Sequence, residues 1–170
     1  MPQQAFSAAF AVLAVGLVAA TVIDLRSRRI PNQLTAAMAV FGLALAATGT
    51  SGVTLGGSLL GCVLGLLLMM PGYTLGATGA GDVKLMAGVG AIVGPAVVLS
   101  AFMFSAMAGG VLAVIVAIQR QRLAATIVGA GRLVAAPGSA SQEIKAASSA
   151  RRFAFGPAIA IGSVLAMLTW

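Results

Sequence analysis

Long apolar runs separated by short polar breaks are the dominant pattern in this 170-residue sequence. A transmembrane helix needs about 20 predominantly apolar residues. The runs extend over residues 5–23, 34–47, 53–70, 83–118 and 153–170. Because Gly94-Pro95 interrupts the run 83–118, this run is expected to form two helices, the first of them short. The pattern predicts an all-α, polytopic membrane protein with six transmembrane helices in a single domain, residues 1–170.

The segment 119–152 is the one long stretch that is not expected to span the membrane. Its part 123–136 is apolar except for Arg132, but it is shorter than a span. Arg120 and Arg122 lie beside it. This composition predicts a cytoplasmic loop that contains an amphipathic segment at the membrane interface.

The distribution of charge predicts the orientation of the helices. The chain is 60% hydrophobic and 8% charged, with ten basic and three acidic residues and a net charge of +7. If the Asp24 end of the first span is cytoplasmic, all ten basic residues lie on that side and the opposite loops carry none. The positive-inside rule therefore predicts that both termini are non-cytoplasmic and that Asp24 and Asp82 share the cytoplasmic face. The positive-inside rule then explains the excess of basic residues, so the net charge does not indicate a nucleic-acid partner.

The available residue types restrict the chemistry. The chain has no His and a single Cys, Cys62. These counts exclude a His-based triad, a zinc site made of Cys pairs and an internal disulfide. We expect no metal and no cofactor, and we interpret Cys62 as a small core residue within an apolar run.

Asp24 and Asp82 are the candidate reactive groups. A carboxylate close to lipid is costly, which makes it a functional candidate by default. If the two carboxyl groups approach each other, like-charge repulsion favours a shared proton. One group could then activate a water while the other protonates the carbonyl oxygen or the leaving amine. The alternatives are that Asp82 caps a helix N-terminus, or that each aspartate pairs with a basic residue. Asp24, at the end of a helix, lies where the helix dipole disfavours its charge.

Glycines precede Asp82 in the sequence Gly79-Ala-Gly81-Asp82-Val-Lys84. It is not a Walker loop, because Asp stands where Lys is required, and it is not a dinucleotide fingerprint, because Lys84 occupies the third glycine position. The glycines would let an extended peptide approach the backbone beside Asp82, or they form a plain interhelical turn. Glycines spaced four residues apart, at 57, 61, 65, 90 and 94, allow close helix packing within the fold or against a second copy.

Three motifs, taken in order along the chain, resemble the type IV prepilin leader peptidases, which are membrane aspartic proteases of the GxGD kind. They are the sequence from Asp24 to Pro31-Asn32, the sequence from Gly79 to Lys84, and the sequence Phe155-Gly156-Pro157 at the start of the last run. The third departs slightly, because Ala154 stands where the family often has proline.

The resemblance implies a six-helix membrane peptidase that needs no metal and in which Asp24 and Asp82 form the catalytic pair. The implied substrate is a prepilin with a basic leader, cut at the cytoplasmic face after a glycine that precedes its hydrophobic helix. The implied location is the bacterial inner membrane, and a homo-oligomer is left open. Residues implied to bind substrate or to shape the loops are Gly79, Gly81, Lys84, Pro31, Asn32, Gly156 and Pro157.

The single Cys also separates this chain from larger members of that family. Those carry a cytoplasmic insert with two CxxC pairs for zinc and an N-methyltransferase activity. The chain is therefore similar to the short, peptidase-only branch that serves tight-adherence (Flp-type) pili. The archaeal preflagellin peptidases share these motifs and remain an alternative. Two further alternatives are a proton-coupled transporter or channel that uses both aspartates, and a non-catalytic membrane scaffold.

Overall fold

The computed structural model describes residues 3–119 and 155–169, and this part of the chain is helical without any strand. The five helices are α1 Gln3–Ser27, α2 Asn32–Ala47, α3 Leu55–Thr74, α4 Ala80–Gln119 and α5 Gly156–Leu168. The prediction of an all-α fold is confirmed for these residues. The predicted interfacial segment lies outside them.

Three of these helices are long and apolar enough to cross a membrane. Their apolar spans are Ala9–Ser27, Leu55–Thr74 and Ala80–Ile115. α2 and α5 are apolar but shorter. The chain is therefore an apolar helical protein suited to a bilayer, while the count of six spans and the side on which the termini lie stay predictions.

α4 is divided at Gly94, where the sequence predicts a break. Gly94 has φ 80° and ψ 177°, and Pro95 follows it inside the helix. Only glycine adopts this combination without strain, and Pro95 provides no backbone N–H and disfavours a helical conformation at the residue before it. Two helical segments of different direction result within α4.

Two helix ends differ from the sequence pattern. The apolar run 53–70 ends before Pro71, but α3 continues to Thr74 with Pro71 in its last turn. A proline removes one backbone donor, and the following residues still close the helix end, because Leu75 N–H donates to the Pro71 carbonyl at 3.1 Å. α1 likewise continues past Asp24 to Ser27, so the aspartate lies within the helix.

α4 is the central helix and packs against α3, α5 and α2. Its first segment supplies the most buried side chains, among them Leu85, Met86, Val89 and Ile92, which are fully buried. The outward side chains of the bundle are also apolar, for example Val40, Leu60 and Leu168. An apolar exterior is expected of a protein whose surroundings are lipid tails.

Glycines set the distance between α3 and α4. A Cβ at Gly61 would collide with the Gly90 backbone, and a Cβ at Gly65 would collide with the Met86 carbonyl. Ser58 joins the same interface, since its hydroxyl donates to the Ala91 carbonyl at 2.6 Å. These glycines therefore serve close packing within the chain, which the sequence pattern left open.

Candidate active site

Asp24 lies in the last turns of α1 and is 5% exposed. Its Oδ2 accepts a hydrogen bond of 2.9 Å from the backbone N–H of Gly156, a residue 132 positions away. Gly156 is the first residue of α5, where a backbone N–H has no partner within its own helix. The dipole of α1 disfavours a negative charge at its C-terminal end, where Asp24 lies. The dipole of α5 offsets this effect, because the Asp24 carboxylate faces the N-terminus of that helix.

Asp82 is the third residue of α4 and is 6% exposed. Its Oδ2 accepts a hydrogen bond of 2.8 Å from the backbone N–H of Gly79, which immediately precedes the helix. A side chain at this position that reaches back to the start of its helix forms one half of a capping box. Asp82 therefore caps the N-terminus of α4, as one of the alternatives in the sequence analysis expects. The same hydrogen bond fixes the orientation of its carboxylate.

The three sequence motifs meet at one end of the helix bundle. The first and second are in contact because a Cβ at Gly81 would lie 3.1 Å from Cβ of Ile30. They are also joined by Lys84, whose Nζ donates to Asn32 Oδ1 at 2.9 Å. The third motif joins them through the bond between Gly156 and Asp24. Residues from α1, α2, α4 and α5 therefore form a single site.

The two prolines of the motifs occupy helix starts. Pro31 precedes α2 in an extended conformation, and Pro157 is the second residue of α5. Proline is tolerated at these positions because the first residues of a helix need no intrahelical donor. Both prolines therefore set where helices begin at the site.

Basic side chains surround this end of the bundle. Arg26, Arg28, Arg29 and Lys84 are all exposed, whereas Asp24 and Asp82 are buried. Arg28 adopts φ 53°, an uncommon value for a residue with a side chain, in the tight link between α1 and α2. By the positive-inside rule, this end is the one expected to face the cytoplasm.

A cavity of about 520 Å³ adjoins the site between α3, α4 and α5. Its wall includes Thr78 and Phe155, which directly precede the two glycines that donate to the aspartates. The remaining lining is almost entirely apolar: Leu67, Leu68, Met69, Pro71, Gly72, Phe102, Ser105 and Ala106. Sequence reasoning missed this cavity, because its residues come from separate runs and share no local pattern.

Thr78 is the most distinctive residue of the cavity wall. Its hydroxyl oxygen is buried and has no hydrogen-bond partner among the described residues. A buried hydroxyl without a partner is costly. This oxygen packs against Gly72, where a Cβ would lie 3.0 Å from it.

The described residues contain no group of three or more His, Cys, Asp or Glu side chains that could hold a metal ion. Cys62 is a free thiol on α3, partly buried. The site presents two buried carboxyl groups, each oriented by a backbone N–H.

A comparison with known protein families places these features in context. A model of the type IV leader peptidase family matches residues 11–114. This range is more than half of the chain and includes Asp24 and Asp82, and it ends before α5. No curated protein and no solved structure matches the chain.

Proposed function

Because the chain belongs to the type IV leader peptidase family, we propose that it is a membrane-embedded aspartic endopeptidase that removes the leader of a type IV prepilin at the cytoplasmic face. The observation that supports this proposal most is the pair Asp24 and Asp82. Each is buried, each accepts a glycine N–H, and their motifs contact each other at one end of the bundle.

In the proposed reaction the two carboxyl groups share the proton transfers. The ionised one takes a proton from a water whose oxygen bonds to the scissile carbonyl carbon, while the protonated one donates to the carbonyl oxygen. Collapse of this intermediate breaks the carbon–nitrogen bond, and the leaving amine takes a proton from a carboxyl group. Because the two carboxyl groups exchange roles between the steps, neither residue is assigned as the fixed acid or base.

The apolar cavity offers a place for the part of the substrate that follows the cleaved bond. A prepilin has a hydrophobic helix there, and an almost wholly apolar wall can pack against apolar side chains without leaving buried polar groups unpaired. The cavity thereby supports a substrate with apolar residues just after its cleavage site.

We further propose that the chain lacks N-methyltransferase activity and acts on Flp-type prepilins. One Cys in the chain does not suffice for the two CxxC pairs of the methylating members. A proton-coupled transporter is less well supported, because it needs ionisable groups along a path through the membrane, whereas Asp24 and Asp82 belong to one end of the bundle.

Co-expression with an Flp-type prepilin tests the proposal. We expect wild-type chain to convert the prepilin to a faster-migrating form, because the leader is removed. Mass spectrometry of the product should give a new N-terminus without a methyl group. No cleavage across several prepilins, with membrane insertion verified, would shift the interpretation to transport or scaffolding. A methylated product would contradict only the peptidase-only assignment.

Inhibitors give a second prediction. Metal chelators, thiol-alkylating reagents and serine-directed reagents should leave the cleavage rate of purified enzyme unchanged, because the proposed chemistry uses carboxyl groups alone. The measurement is the initial rate on a prepilin with and without each reagent. Cys62→Ala serves as the control for alkylation and should behave like wild type. A loss of activity on removal of metal ions would contradict the mechanism.

A further inference from the structure

We infer that Gly156 is a positioning residue that fixes the Asp24 carboxylate, and that this position must be glycine. The first turn of α5 would then be part of the catalytic centre, although it lies outside the residues 11–114 that the family model matches. This inference rests on the proposed function and adds an element to the proposed site.

Gly156 donates the hydrogen bond to Asp24 at a position whose next neighbour cannot donate one. Gly156 begins α5, and the next residue, Pro157, has no backbone N–H. Phe155 closes the first turn of the helix, because its carbonyl accepts from Ile159 N–H at 3.1 Å. Between them, Gly156 and Pro157 therefore offer Asp24 a single backbone donor.

Glycine is required at position 156 by proximity. A Cβ there would lie 2.8 Å from Oδ2, 3.1 Å from Cβ and 3.3 Å from Cγ of Asp24. Gly156 is a helical residue without a positive φ, so alanine would suit its backbone. Any methyl group at this position must displace either the carboxylate or the start of α5.

α5 has little freedom to move away from Asp24. Its start is held because the Phe155 ring packs against Gly109 of α4, where a Cβ would collide with the ring. Farther along, Gly162 packs against the backbone and hydroxyl of Ser105. Because both contacts are close, a methyl group at position 156 is expected to displace the Asp24 carboxylate.

Cleavage kinetics of the full-length chain in detergent form the first arm of the test. We expect Gly156→Ala to lower kcat about tenfold to a hundredfold, as a small misplacement of a reacting group does. KM should change by less than about threefold, since Gly156 supports the carboxylate and not the substrate. The matched control is Gly110→Ala on α4, where a Cβ meets nothing within 4 Å and where wild-type kinetics are expected.

Thermal unfolding without substrate forms the second arm, and it detects the contact itself. Alanine is a better helix former than glycine, so Gly156→Ala should be neutral or stabilising if nothing opposes the methyl group. We expect it instead to lower Tm in the wild-type background and in Asp24→Asn, whose side chain has the same size. In Asp24→Ala the loss of Tm should shrink, because the carboxyl group that opposes the methyl is gone. Asp24→Ser replaces Asp24→Ala if that variant does not fold.

The two arms separate the two ideas. Equal losses of Tm in all three backgrounds, or wild-type kcat in Gly156→Ala, would overturn the role of Gly156. If Gly156→Ala raises KM and leaves kcat unchanged, only substrate binding is weakened, and this result would also overturn the role of Gly156. If wild-type chain cleaves no prepilin, the proposed function fails, and the unfolding arm alone still decides whether Gly156 fixes Asp24.

Discussion

Asp24→Asn and Asp82→Asn are each expected to abolish leader cleavage, with a loss of about a thousandfold or more in rate, because an amide cannot transfer the protons that the reaction needs. The structure explains why the protein should survive either change. Each carboxylate accepts a backbone N–H, and an amide oxygen can accept the same bond. The measurement is prepilin cleavage by purified variants, alongside their Tm.

Glu143→Gln is the control for these variants. Glu143 is the third acidic residue of the chain and belongs to none of the three motifs. The Glu143→Gln variant should cleave prepilin at the wild-type rate. Substantial cleavage by either single aspartate variant would contradict a mechanism with two carboxyl groups, even if the chain still proved to be a peptidase.

A large loss of stability is expected from Gly61→Ala. The new methyl group would meet the Gly90 backbone on α4, and backbone cannot rotate away as a side chain can. Overpacking of a tight contact costs about 1–3 kcal/mol of unfolding free energy. We expect a value at the upper end of this range, measured as a lower midpoint of thermal unfolding in detergent.

Gly56→Ala is the matched control for this substitution. Gly56 lies on the same helix, α3, and a Cβ there meets nothing within 4 Å. It should be neutral or slightly stabilising, because alanine is the better helix former. If both variants unfold at the same temperature, the result would contradict the close contact between Gly61 of α3 and the backbone of α4.

The two aspartates share a structural arrangement that bears on the proposed chemistry. Each is held by the N–H of a glycine at the start of a helix, Gly156 for Asp24 and Gly79 for Asp82. Both donors are backbone groups, one in the first residue of α5 and one immediately before α4, so they are in place before a substrate binds. Such preorganisation lowers the cost of reaching the reactive geometry.

Much of the helical layout could be predicted from the sequence, because it depends on neighbours along the chain. Long apolar runs without enough polar groups must form helices in a bilayer, where every backbone group needs a partner. The break at Gly94 follows from the conformations that glycine and proline allow. The ends of α1 and α3 were less predictable, since Asp24 and Pro71 interrupt the apolar pattern but do not end the helices.

The helical class, the break in α4 and the two candidate aspartates follow from hydropathy, backbone conformation and rare charges, which are local properties of a sequence. The folded arrangement was needed to show that Gly156 of α5 donates a hydrogen bond to Asp24 and that Gly61 packs within the chain against Gly90. It also revealed the apolar cavity beside Thr78 and Phe155. These features join residues that are distant in sequence, and their positions depend on how closely the glycines let the helices approach.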